Sequence, residues 1–364
     1  MSRSLFAIAW IALIAALSSR GASADTFAYI GNADSNDISV FHVEPASGAV
    51  KAVEMAPFPG VEKPGASTPL AVSPDQKLLF AGVRSEPYTV LSFAIDAKSG
   101  HLTYRGRGPL ADSMANIATD HTGKFLFSAS YGGNKVGLNP IGADGIVGAP
   151  KQVIPTGLNA HAFLPSPDNR FVFATNLGSD QILSFRFDAA TGTLTPNDPA
   201  TIKVGAKNGP RHFVFHPNGK FVYLVNELSA ALLVFSYDAA HGTWQQIQQA
   251  SALPEGSSAK PWAADIHLTP DGRFVYASER TTSTIRAFRV DAESGHLTPL
   301  GSAPTEKQPR GFAVDPSGHV LIAVGELSNA MSVYMIDPAS GALKFLQSTP
   351  VGKKPNWVSF VSFR

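Results

Sequence analysis

One short phrase recurs six times along the 364-residue chain and constrains what it can fold into more than any other feature. It reads Ser73-Pro74-Asp75-Gln76-Lys77, Asp120-His121-Thr122-Gly123-Lys124, Ser166-Pro167-Asp168-Asn169-Arg170, His216-Pro217-Asn218-Gly219-Lys220, Thr269-Pro270-Asp271-Gly272-Arg273 and Asp315-Pro316-Ser317-Gly318-His319. Each copy reads as a tight turn: in five of the six, Pro presets φ at the second position, and Asp, Asn or Gly tolerates the positive φ that follows. The final residues stand at 77, 124, 170, 220, 273 and 319, at intervals of 47, 46, 50, 53 and 46.

A short apolar run precedes each turn and another follows it, as in Phe221-Val222-Tyr223-Leu224-Val225. A third run follows, such as Leu233-Val234-Phe235-Ser236-Tyr237, and then a Gly turn (Ser47-Gly48, Ser99-Gly100, Thr191-Gly192, His241-Gly242, Ser294-Gly295, Ser340-Gly341) leads into a fourth. Four antiparallel strands per repeat of this length predict the blades of a β-propeller. Residues 26 to 55 supply strands two to four without a strand one, and Asn356-Trp357-Val358-Ser359-Phe360 supplies a strand one without followers. Joined, they make a seventh blade that closes the ring and removes its open edges. The expected fold is all-β, a seven-bladed propeller. Length alone would favour two domains, but the repeat overrides that prior.

Before the first strand lie Arg3, an apolar run from Leu5 to Leu17, and a small-x-small triplet at Ala22-Ser23-Ala24. That order predicts a secretory signal peptide over residues 1 to 24, cleaved after Ala24, and a mature propeller domain over 25 to 364 that works in the periplasm or outside the cell. No later stretch approaches the roughly 18 to 20 apolar residues of a membrane span, so no membrane contact is expected after cleavage. Without Arg3 and Arg20 the 29 basic side chains become 27 against 28 acidic ones, which gives no reason to expect a nucleic-acid or membrane partner. There is no cysteine, which excludes disulfides, thiolate nucleophiles and Cys-ligated metals. Nothing in the sequence speaks to an oligomeric state.

In a propeller the start of strand one and the end of strand two meet at one mouth of the central channel. Nine residues before each turn's last residue stand Thr68, Ala115, His161, Arg211, Ala264 and Arg310, with Asn356 in the closing blade. Seven residues after it stand Arg84, Tyr131, Leu177, Glu227, Arg280 and Glu326, with Ala33 in the closing blade. Positions seven and five before it are apolar, as at Phe213/Phe215 and Ile266/Leu268, which is the packing expected between blades. The two rings lack such regularity. A scaffold position repeats its chemistry, whereas His161, Arg211, Glu227, Arg280, Arg310 and Glu326 change from blade to blade and converge on one side of the mouth, the default pattern of a binding site. Four arginines, counting Arg84, against two glutamates argue for an anionic ligand, since the guanidinium fork matches carboxylate or phosphate.

The remaining histidines sit in the repeated turn (His121, His216, His319), beside the Gly turn (His101, His241, His296) or after strand three (His42), where they read as scaffold or surface. His212 and His267 lie in strands one, and Asp265 shares a strand face with His267, so Asp265 and His267 are expected to form a buried pair between blades. No H-E-x-x-H, EF-hand loop or clustered His pair argues for a metal, and the G-x-S-x-G, P-loop and G-x-G-x-x-G fingerprints are missing.

The stretches Gly209-Pro210-Arg211-His212-Phe213-Val214-Phe215-His216-Pro217, Val225-Asn226-Glu227-Leu228, Trp262-Ala263-Ala264-Asp265-Ile266-His267-Leu268-Thr269-Pro270-Asp271-Gly272-Arg273 and Gln308-Pro309-Arg310-Gly311-Phe312 resemble the lactonase family of seven-bladed propellers, and within it the 6-phosphogluconolactonases. The likeness runs from Phe27 to Val358, essentially the whole mature chain. The family also includes carboxymuconate-cyclising enzymes. By motif, its site residues fall on His161, Arg211, Glu227 and Arg280, which the ring positions select independently. The resemblance implies hydrolysis of a six-membered sugar lactone to its open acid, with no cofactor. The leader departs from the cytosolic 6-phosphogluconolactonases, so phosphorylated and unphosphorylated lactones both stay open as substrates.

For that chemistry Glu227 is the expected general base and His161 the alternative base or proton donor. Arg211 and Arg280 would meet the oxyanion, and Arg310, Glu326, Arg84 and Asn356 would bind an anionic sugar lactone. Two other readings use the same mouth: a non-catalytic periplasmic propeller that binds a sugar acid or a protein partner, and a muconate-type lactonising cycloisomerase.

Overall fold

The fourth residue of every repeat phrase takes the left-handed conformation that closes the turn: φ is 61° at Gln76, 70° at Gly123, 60° at Asn169, 70° at Gly219, 74° at Gly272 and 78° at Gly318. Each turn joins strand one of a blade to strand two. In the computed structural model, which describes residues 25–363, seven sheets of four antiparallel strands follow one another in chain order. The predicted signal peptide and its cleavage site lie outside the described residues.

The first blade begins at Leu70–Val72, the second at Met114–Thr119, the third at Ala160–Pro165, the fourth at Pro210–Phe215, the fifth at Ala263–Leu268 and the sixth at Pro309–Val314. The closing blade takes its inner strand, Pro355–Phe363, from the other end of the chain. That strand pairs antiparallel with Asp25–Asn32, from Asp25↔Phe363 to Asn32↔Pro355. Inner strands pack against one another around the channel, and the closing one returns to the first blade.

Strand two is the most apolar element because its blade's neighbours cover both of its faces. Phe171–Asn176, Phe221–Asn226, Phe274–Glu279 and Val320–Gly325 are buried at every residue. The Gly turns explain how blades pack so closely. Gly192 has φ 63°, and a Cβ there would lie 2.1 Å from Cε1 of Phe125 on the preceding blade. Gly295 repeats the arrangement against Phe221. The carbonyls of Gly100, Gly295 and Gly341 accept hydrogen bonds of 2.9 to 3.0 Å from the hydroxyls of Tyr29, Tyr223 and Tyr276, which sit in the strand two of the preceding blade. A required glycine thus serves as both turn and inter-blade acceptor.

Candidate active site

The inner ring of candidate residues coincides with a repeated backbone irregularity. In six of the seven blades the register between strands one and two slips at the channel mouth, between Met114 and Asn116, Ala160 and Phe163, Pro210 and His212, Ala263 and Ile266, Pro309 and Gly311, and across Pro355 to Trp357 opposite Gly31 and Asn32. The skipped positions include Ala115, His161, Arg211, Ala264, Arg310 and Asn356. A β-bulge re-aims a side chain that a regular strand would bury between blades.

Glu227 follows directly on strand two of the same blade as Arg211, and Arg280 on that of the next. Oε2 of Glu227 accepts from Nε of Arg211 at 2.9 Å and from Nη2 of Arg280 at 2.8 Å. Arg211 is 2 % exposed, and its Nη1 also donates to the carbonyl of Ala264. Arg280 is held by the carbonyls of Trp262 and Ala263 at 3.1 and 3.0 Å, and its guanidinium lies 4.1 Å from the centre of the Trp262 ring. Burial brings the Arg211 guanidinium down to about 9, with Arg280 adding to the effect and Glu227 opposing it. Burial opposes ionisation of Glu227, but Arg211 and Arg280 outweigh it and hold the carboxyl below its usual range. The three groups are an ionised, largely dehydrated triad.

His161 is buried, and its Nδ1 has no hydrogen-bond partner. Its ring meets those of Tyr131 and His212 edge-on, at 5.9 and 5.0 Å. Burial, then the fields of Arg211, His212, Arg310 and Arg84, push its pKa well below the ordinary value, so the imidazole is neutral. An orphaned nitrogen is less costly as a bare acceptor than as a buried N–H, so the proton belongs on Nε2.

The other candidates divide. Arg310 Nη1 pairs with Oε1 of Glu326 at 3.0 Å, and Gln308 takes the second oxygen at 2.7 Å. Arg84 donates to the hydroxyls of Ser113 and Ser67 at 3.1 and 2.7 Å, and no carboxylate lies within ion-pair distance of it among the described residues. Burial, then Arg310, lowers its pKa to about 10. Asn356 accepts from the backbone N–H of Thr68 at 2.8 Å and donates to the carbonyl of Lys354 at 2.8 Å, so the structure uses it to tie the closing blade to the first.

Strand parity pairs Asp265 with His267, and the two do meet at 3.2 Å, but the His267 side chain is 36 % exposed and belongs to the same blade. The bond between blades runs instead from His212 Nδ1 to Asp265 Oδ1, at 2.7 Å. Parity could not show this, because the bulge beside Arg211 turns His212. Trp262 and Gln308 are further groups that ring counting misses, since both lie in the loops before strand one. Beyond the mouth, a cavity of about 620 Å³ occupies the channel on the side of the repeat turns, lined by Leu70, Asn116, Phe213, His267 and Trp357 among others. None of the eight candidates lines it. Among the described residues no three His, Cys, Asp or Glu side chains group to hold a metal ion.

The family model for lactonase, 7-bladed β-propeller, matches residues 28–360, nearly the whole described chain. The chain belongs to this lactonase family. Its sequence is 40 % identical over 266 residues to the 6-phosphogluconolactonase of Pectobacterium carotovorum, covering 73 % of this chain and 79 % of that one. It is 38 % identical over 298 residues to that of Cronobacter sakazakii, covering 82 % and 87 %. Among solved structures, the periplasmic gluconolactonase of Pseudomonas aeruginosa superposes with a TM-score of 0.84 at 29 % identity, covering 93 % of this chain and 99 % of that one. The candidate mouth described above lies within the stretch that the family model covers. No helix among the described residues is long and apolar enough to cross a membrane.

Proposed function

We propose that this protein hydrolyses a sugar lactone to the open-chain aldonic acid at the mouth formed by the third to sixth blades, and that it does so after export from the cytoplasm. The observation that carries the reading is the single carboxylate oxygen of Glu227 shared by Arg211 and Arg280 beside a neutral, buried His161. The names of the relatives favour hydrolysis over cyclisation or binding alone. The leader-like N-terminus and the likeness to a periplasmic gluconolactonase support export.

Ring opening needs an activated water and stabilisation of the oxyanion that its attack creates. Oε1 of Glu227 is the oxygen that the arginines leave free, and it takes a proton as water oxygen bonds to the lactone carbonyl carbon. Arg211 and Arg280 already stand around that carboxylate with fixed donors, so the developing negative charge meets guanidinium groups that need no reorganisation. The carbon to ring-oxygen bond then breaks and its electron pair stays on the ring oxygen. His161 Nε2–H donates a hydrogen bond to that oxygen, and the proton held by Glu227 passes to it, which regenerates the carboxylate. The acid product ionises and releases one proton to solvent.

Arg84 and Arg310 are the seat for a carboxylate or phosphate on the sugar, because Arg84 has no carboxylate within ion-pair distance among the described residues. A pH-stat assay of the mature protein on gluconolactone and on its 6-phosphate tests the function and ranks the two. Calorimetry with gluconate separates it from binding: heat of binding without acid release above the spontaneous rate would overturn hydrolysis.

A further inference from the structure

His212 and Asp265 have no contact with substrate in the scheme above, yet both are buried, His212 touches Arg211 and His161, and Asp265 holds His212. Asp265 accepts from Nδ1 of His212 at 2.7 Å, from the backbone N–H of Ile266 at 3.0 Å, from that of Phe312 on the sixth blade at 3.4 Å, and lies 3.2 Å from Nε2 of His267. Burial opposes its ionisation, but His267 and His212 outweigh it and keep the carboxyl far below the usual range. An ionised carboxylate only accepts, so His212 must carry a proton on Nδ1.

Burial, then Arg211, lowers the pKa of His212 to about 4, which leaves the ring neutral at pH 7. With its proton on Nδ1, its Nε2 presents a lone pair. That nitrogen lies 3.5 Å from Nη1 of Arg211, the same Nη1 that donates to the carbonyl of Ala264. The bulged dipeptide Ala264-Asp265 therefore steers Arg211 twice, directly by a carbonyl and indirectly through His212. The imidazole is also wedged between His161 at 5.0 Å and Trp357 at 5.8 Å, so its orientation sets the wall against which His161 rests. The opposite tautomer would aim an N–H at a guanidinium and push Arg211 from its place.

We propose that Asp265 and His212 form a positioning pair that fixes the tautomer of His212 and thereby the orientation of Arg211 and His161. Only the kinetic half of its test rests on the lactonase reading.

The test joins imidazole nitrogen NMR of the ¹⁵N-labelled mature protein at pH 7 to lactone kinetics. The wild-type His212 signal is expected in the Nδ1–H tautomer, and Asp265→Asn, which turns an acceptor into a donor, is expected to move it to Nε2–H. Asp265→Asn should lower kcat by about tenfold or more with a smaller change in KM, as amide replacement does when it reverses a functional histidine tautomer. His212→Phe keeps a ring between His161 and Trp357 but no acceptor for Arg211, and should lose a similar factor. The double variant should be no worse than either single one, since the two residues act as a unit. An Nε2–H or protonated His212 in the wild type overturns the proposal, as does a folded Asp265→Asn protein that melts lower yet turns over within about twofold of wild type. If Asp265→Asn does not fold, the wild-type spectrum and His212→Phe decide. The spectrum needs no turnover, so an inactive wild-type protein would count against the lactonase reading and leave the tautomer to judge this pair.

Discussion

Oε2 of Glu227 stands 2.9 Å from Nε of Arg211 and 2.8 Å from Nη2 of Arg280, one oxygen between two guanidinium groups that are 2 % and 7 % exposed. Removing its charge leaves two buried cations facing each other, and breaking a buried pair in this way costs about 3 to 5 kcal/mol. Glu227→Gln is therefore expected to be folded but markedly less stable than wild type, as read by chemical denaturation. A loss below about 1 kcal/mol, the range of exposed ion pairs, would mean that the triad is open to solvent.

The same electrostatics fix the pH dependence. The folded pKa of His161 lies well below 6.5, so its neutral form persists as pH falls through that value. Glu227 is depressed from 4.5, so its carboxylate also survives to lower pH. The acid limb of kcat/KM should fall below pH 4.5, with no inflection near 6.5. An inflection between about pH 6 and 7 would show a histidine titrating in the free enzyme.

Arg84 tests substrate choice. Bonded to two serine hydroxyls and without a carboxylate partner among the described residues, it should serve an anion remote from the lactone carbonyl. Arg84→Met is expected to lower the ratio of kcat/KM for 6-phosphogluconolactone over gluconolactone by about tenfold or more, the scale of a charge-assisted bond to phosphate. An unchanged ratio would move the anion seat elsewhere.

The scaffold makes its own prediction. Gly192→Ala places a Cβ 2.1 Å from the Phe125 ring in a backbone with φ 63°, so strain and overpacking add. A loss of about 2 kcal/mol or more in thermal or denaturant unfolding is expected. A neutral variant would show that blades can separate by an ångström at no cost.

Much of this was legible in the chain. The repeat phrase and the Gly turns dictate backbone conformations that few other residues adopt, so blade number, strand order and ring closure could be read by counting. Counting also reached His161, Arg211, Glu227, Arg280, Arg310 and Glu326, because residues at equal offsets from a turn arrive at one mouth. The division of labour among them was not legible. Whether Glu227 faces one arginine or two depends on where a bulge turns Arg211, and a bulge is a register slip that leaves no residue signature here. The same slip hid the bond from His212 to Asp265, which strand parity assigned to His267. Offset alone selects Asn356, and nothing in its neighbours along the chain signals that it braces two blades.

Acid release from gluconolactone in a pH-stat, wild type against Glu227→Gln, decides whether the Glu227 carboxylate between Arg211 and Arg280 drives lactone hydrolysis. Saturable acid release above the spontaneous rate is expected in the wild type, with a fall of about 10² or more in the variant at a temperature where both are folded. Wild-type release at the spontaneous rate, or a folded variant as fast as wild type, would contradict it.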